Sequence, residues 1–216
     1  MLRIISPAEA ASRGDGDEDF IVNFYWRCCP MLERISEDIK NNCCGKLRSL
    51  RFTWSRPKNK AASAAEFRNQ VLPAALDGAR TLAGAEICAL HIEKVPDENN
   101  LFALAQFANG VVAELELNEC LPLSMPDTCF IKANFSNGHI TNQPIVGHFN
   151  EEGAILASDD GMQTLIFEQS KTCGSAIEQM QTRFRMLAEK NEIPAGKQGA
   201  DEIMHWVENT LEDRKK

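Results

Sequence analysis

Between Ile87 and Glu168 the chain alternates short apolar runs with turn residues, and no stretch keeps a helical period. Such a pattern predicts an antiparallel meander. Asn109-Gly110 is its strongest signal, because a two-residue type I′ turn needs positive φ at both central positions and these residues tolerate it best. A turn of that length sets the register. It would place Phe102, Leu104, Ala113, Leu115 and Leu117 together on the face that packs the core. Leu101, Ala103, Ala105, Phe107 and Val112 would then lie on the other face beside Glu114 and Glu116. That second face is too apolar for open water and too charged for a core, so it is expected to meet a partner. A second hairpin is expected at Asn137-Gly138, and Asp160-Gly161 punctuates the last strand, MQTLIFE.

Helical signals flank this region on both sides. Ser6 and Pro7 open a helix as cap and first helical residue. The acidic loop after it, with Asp15, Asp17 and Asp19 alternating, begins like a calcium loop but has Phe20 and Trp26 where glycine and a closing glutamate belong. A solvated turn is expected instead. FIVNFY, residues 20–25, reads as a short strand. After Pro30, Met31, Leu32, Ile35 and Ile39 recur at helical spacing, and Gly45 is expected to close that helix. LRSLRFTWSR from Leu47 reads as a long strand ended by Pro57, and 58–66 as a loose linker. Ile177, Met180, Phe184 and Leu187 form one late helical stripe, and Ile203, Val207 and Leu211 another, both of core type. The expected organisation is a partly flexible lead-in, 1–19, and one domain, 20–216, whose residues 20–45 are a linking strand and helix.

Charge and cysteine usage narrow the function. With 31 acidic against 23 basic residues in 216, the net charge of -8 leaves no surplus for phosphate backbones or anionic lipid. No nucleic acid and no membrane are expected as partners. No run approaches the ~20 apolar residues of a spanning helix, and the N-terminus shows no secretory signal, so a cytoplasmic location is expected. Eight irregularly spaced cysteines suggest reduced, core-filling thiols. Cys28-Cys29 and Cys43-Cys44 suggest two halves of a metal site, but the helix between them would hold the pairs roughly 20 Å apart. No GxGxxG, P-loop, HExxH or GxSxG occurs, so no cofactor-binding or metal residues are assigned. His91, His139, His148 and His205 fall on separate elements. Cys120 and Cys129 flank the loop LPLSMPDT without a histidine nearby in sequence to activate either.

In order and spacing, several segments resemble a known family, the glucose-fructose oxidoreductase, inositol dehydrogenase and biliverdin reductase-like group of NAD(P)-dependent oxidoreductases. SPAEA is similar to the helix start that follows that family's Glu-Lys-Pro, and FIVNFYWRCCP to the last strand of its nucleotide domain. PMLERISEDIKNNCCGKLRSLRF resembles the linking helix and first sheet strand, and LFALAQFANGVVAELELNECLP the characteristic hairpin. The resemblance covers most of the chain and implies the family's C-terminal domain: an α+β fold with an open, mainly antiparallel sheet and helices on one face.

The departures decide the functional expectation. MLRII stands where the family has Glu-Lys-Pro, whose lysine is catalytic, and no glycine-rich nucleotide fingerprint is found. In VLPAALDGARTLAG the family's aspartate survives as Asp77, with Arg80 and Gly84 after it, but the family histidine position holds Ala74. A methyl group moves no proton. The leading expectation is therefore a substrate-binding or oligomerisation domain without an NAD(P) site, non-catalytic alone and homodimeric through the open sheet face. The alternative is one chain of a split or truncated NAD(P)-dependent sugar- or polyol-type oxidoreductase, completed by a separate dinucleotide-binding chain. Tyr25, Trp26, Arg27 and Asp77 are the substrate-site candidates in either case. As an isolated residue, Asp77 would be an exposed acid in the first turn of a helix, where the dipole favours it.

Overall fold

The computed structural model describes residues 3–14, 20–57, 64–94, 100–143, 153–158, 161–166, 176–190, 192 and 196–212. The alternating aspartates, His148 and most of the 58–66 segment lie outside these.

The chain begins with β1 (Arg3–Ile5) and α1 (Pro7–Ala11). Ser6 caps α1 through its hydroxyl, which accepts from the Glu9 amide at 3.1 Å. Strand β2 (Phe20–Val22) lies parallel to β1, Ile4 beside Ile21 and Ile5 beside Val22. The strand expected through Tyr25 thus ends at Val22. Its partner is only three residues long, and beyond it the Phe24 amide folds back onto the Val22 carbonyl at 2.8 Å. Tyr25–Cys28 forms a 3₁₀ turn, and Pro30 opens α2 (Pro30–Lys40). Met31, Leu32 and Ile35 are buried, as their spacing predicts. The helix stops at Lys40, ahead of Gly45, and Asn42 takes the left-handed conformation.

The long strand is β3 (Leu47–Pro57). A three-residue helix, α3 (Ala64–Glu66), leads through a wide π turn, Phe67–Val71, into α4 (Leu72–Ala83), so the end of the expected linker is already helical. The meander follows as β4 (Ile87–Lys94), β5 (Asn100–Phe107), β6 (Val112–Leu121), β7 (Thr128–Phe135), β8 (Gly138–Thr141), β9 (Gly153–Ser158) and β10 (Gly161–Ile166). The closing helices are α5 (Ala176–Glu189) and α6 (Lys197–Glu212). Among the described residues the sheet has eight strands in the order β10-β9-β8-β7-β3-β6-β5-β4. Within this sheet only β3 and β6 pair in parallel; the other pairs described are antiparallel. The hairpin at β7–β8 turns at Ser136-Asn137, one residue before the expected position.

The β5–β6 hairpin exists where Asn109-Gly110 places it, but its register differs by one. Ala105 faces Ala113 and Leu101 faces Leu117, which leaves Ala108, Asn109 and Gly110 as a three-residue loop. Only Gly110 has positive φ, at 84°. Asn109 keeps φ negative and uses its side chain instead: Oδ1 accepts from the Val111 amide at 3.2 Å, and Nδ2 donates to the Ala83 carbonyl at 2.8 Å. A one-residue slip exchanges the two faces of β5. Leu101, Ala103, Ala105 and Phe107 therefore join Ala113, Leu115 and Leu117 in the core, and Phe102 and Leu104 point away from it. Ala113, Leu115 and Leu117 lie on the core face as expected.

One sheet face is covered. Helix α4 packs on β3, β5 and β6, α5 on β7, and α6 on β4, β2 and α1. Trp26 sits under this layer with its ring edge-on to Phe52 at 5.3 Å. Phe20, Ile21 and Val22 are buried by β1 and α6, so β2 offers no unpartnered surface. The architecture is α+β, an open, mainly antiparallel sheet with helices on one face. Among the described residues no helix is long and apolar enough to cross a membrane.

Candidate functional site

The 3₁₀ turn after β2 delivers Arg27 to α4. Its guanidinium lies over the Phe24 ring at 5.0 Å and donates from Nε to Asp77 Oδ2 and from Nη2 to Asp77 Oδ1, each at 2.7 Å. Both carboxylate oxygens are held in one bidentate fork. The close approach depends on Gly78: a methyl there would come within 3.1 Å of Trp26 Cβ and 3.3 Å of Leu32 Cδ2. Asp77 is not the exposed first-turn acid that an isolated reading suggests. It lies inside α4 with its side chain 0% exposed, and Arg27 is 25% exposed. Burial pulls the Arg27 pKa down, but its hydrogen bonds to Asp77 and the carboxylate charge more than offset this, and the net shift is upward.

The charges continue outward from this pair. Arg80 Nη2 stands 3.7 Å from Asp77 Oδ1, and its Nη1 reaches Glu86 at 3.3 Å and Glu202 of α6. Asp77 is thus locked between two guanidiniums. Buried and forked by Arg27, the carboxylate serves the fold as an acceptor. Ala74, one turn earlier on α4, is fully buried. Tyr25 and Trp26 are also buried, and burial pushes the Tyr25 phenol well above its ordinary pKa. Of the four candidates, Arg27 and Asp77 are brought together, and Tyr25 and Trp26 point into the core.

A second cluster had no signal in the sequence. Arg56, near the end of β3, stacks over Trp54 at 5.1 Å and pairs with Glu66 at 3.1 Å and with buried Glu119 of β6. Its pKa is lowered by burial and raised more by the two glutamates. Only the parallel pairing of β3 with β6, which sets Ser55 beside Asn118, brings residues 63 apart into contact. Cys129 of β7 lies opposite Trp54 in the same corner. His91 pairs with Glu93 at 3.1 Å on the exposed side of β4, and His205 lies beside Asn209 on α6. Among the described residues no three His, Cys, Asp or Glu side chains gather as a metal site.

No protein-family model matches the chain, and no curated protein does. Solved structures do. An oxidoreductase from Agrobacterium radiobacter, in complex with NAD+, L-tartaric acid and magnesium, superposes with a TM-score of 0.63 at 14% identity, covering 91% of this chain and 63% of that one. An inositol dehydrogenase homolog from Azotobacter vinelandii, complexed with NADH and myo-inositol, gives 0.63 at 14% identity over 90% of this chain and 62% of that one. An oxidoreductase from Sinorhizobium meliloti gives 0.63 at 13% identity over 96% and 65%. The chain spans less than two thirds of the length of each. At such identities the likeness is one of fold.

Proposed function

We propose that this chain is a substrate-domain-like module of oxidoreductase type that binds no dinucleotide by itself and self-associates through its open sheet face. The observation that carries the reading is the Arg27–Asp77 pair. The one acid retained from the resembling motif is buried and held by two arginines, and the position that would hold a histidine is a buried alanine. General acid-base work needs a group that reaches the substrate and changes protonation. Neither Asp77 nor Ala74 fits that need. Titration calorimetry with NAD and NADP is expected to give no heat of binding, and micromolar affinity for either would overturn the proposal.

Self-association rests on the corrected face. Phe102 and Leu104 are 42% and 50% exposed; across β6 they face Glu116 and Glu114, and Val112 lies on the same face opposite Gln106. On the same face Arg51 and Glu114 face each other across β3 and β6 and bond at 2.6 Å, so these charges enter an interface already neutralised. Two copies placed face to face would bury this stripe at roughly 25 cal/mol per Å² of apolar area, before the entropic cost of association. Leu104→Asp is expected to convert a dimer to a monomer in light scattering without unfolding it. A wild-type protein that is monomeric at micromolar concentration, or a variant that stays dimeric, removes this interface.

A second reading has one observation in its favour. The matched structures extend well beyond the matched region, and two of them hold a nicotinamide cofactor. On that reading this is one chain of a split NAD(P)-dependent sugar- or polyol-type oxidoreductase, and a separate dinucleotide-binding chain supplies the cofactor. Hydride transfer in a mixture of the two chains, absent from each alone, would establish it.

A further inference from the structure

We propose that two copies of the chain pair about a two-fold axis that runs along the strands over the seam between β3 and β6, so that β7 of each copy lies on β5 of the other. The inference rests on self-association through the open sheet face and adds its geometry, which the charge pattern of that face supplies. Strands β3, β7 and β8 contain no acidic residue, and on the open face they carry Arg51, Lys132 and His139. Across the seam β6 contains no basic residue, and Glu114 and Glu116 of β6 and Glu93 of β4 stand on the same face. The face is divided lengthwise into a basic and an acidic half. Arg51 and Glu114 close the seam with their bond of 2.6 Å. Away from it the charges face no opposite charge across the strands: Lys132 stands between Arg51 and Thr141, and Glu116 between Thr53 and Phe102.

A sheet laid face to face on its own copy in aligned packing has two directions for the axis, and charge separates them. An axis across the strands sets each strand on itself, so the acidic strip opposes the acidic strip and the basic strip the basic one. An axis along the strands reverses their order and keeps the rows level. Over the β3–β6 seam it sets β3 on β6, β7 on β5 and β8 on β4, and each basic half covers an acidic one. Moved onto β3, it would set Arg51 on its own copy; moved onto β6, Glu114. Charge thus fixes the position of the axis as well as its direction. The apolar residues meet under the same operation. Phe130, Thr53, Glu116 and Phe102 are level in the register, so Phe130 is carried onto the partner subunit's Phe102. Lys132, one row along β7, comes onto the partner subunit's Leu104. Packed sheets lie ~10 Å apart, so its stem covers that leucine and its ammonium reaches toward the glutamates of the partner's β6.

The test is a charge exchange in the full chain, followed by analytical ultracentrifugation at low salt. Lys132→Glu and Glu116→Lys are each expected to weaken the dimer by at least about tenfold, because each sets like charges against one another across the interface. Mixed in equal amounts, the two variants are expected to pair as tightly as wild type, since both contacts of the mixed dimer again join opposite charges. Single variants as tight as wild type, or a mixture that stays monomeric, would overturn this arrangement and leave self-association standing. A monomeric wild type overturns both. Should a variant fail to fold, carbodiimide crosslinking of the wild-type protein decides. With isotope-labelled and unlabelled chains mixed, a peptide joining Lys132 of one copy to Glu114 or Glu116 of the other is expected, and its absence from the crosslinked dimer removes the arrangement.

Discussion

Phe107→Ala is expected to cost about 3–5 kcal/mol of stability, and Leu104→Ala less than about 0.5 kcal/mol when measured in protein dilute enough to be monomeric. The two residues are three apart on one strand, so β propensity does not separate them. Their faces do. Phe107 is 1% exposed under the helical layer, and its removal leaves a cavity among well-packed neighbours; Leu104 is 50% exposed and leaves none. Urea unfolding with equal slopes for the two variants measures the difference. A larger loss at Leu104 would restore the two-residue turn and exchange the faces of the sheet.

That pair of residues also shows where the sequence stops being legible. Asn109-Gly110 announces a hairpin from local chemistry alone, and the hairpin is there. Its loop length depends on a bond from Asn109 to the Ala83 carbonyl at the end of α4, 26 residues earlier, and no local rule contains that contact. The expected strand from Phe20 fails beyond Val22 for a related reason. Its partner β1 is three residues, RII, too short for a periodic signal. Asp77 reads as a first-turn acid only if its helix begins just before it, whereas helical structure already starts at Ala64. Amphipathic stripes fared better: Met180, Phe184, Ile203 and Val207 are buried as their period requires. Site residues followed the same division. Arg27 and Asp77 were reachable through the resemblance, because each stands in its own linear motif; Arg56 with Glu119 depends on strand pairing and could not be seen beforehand.

The second large effect concerns the buried pair. Arg27→Ala is expected to destabilise the protein by about 3–5 kcal/mol, because it leaves the Asp77 carboxylate without its fork in a place water does not reach. Arg80, at 3.7 Å and already shared with Glu86 and Glu202, compensates only in part. Asp77→Leu is expected to cost less. The Arg27 guanidinium is 25% exposed and can turn toward water, whereas a leucine at 77 leaves no buried charge behind. The double variant Arg27→Ala, Asp77→Leu should then lie close to Asp77→Leu alone, since the charge that made the first change costly is gone. Urea denaturation of all three variants closes the cycle. If Arg27→Ala costs under about 1 kcal/mol, or if the two single changes simply add, the pair is not the structural lock described above. Asp77 would then be free to meet a ligand, and the case against acid-base chemistry at this site would fall with it.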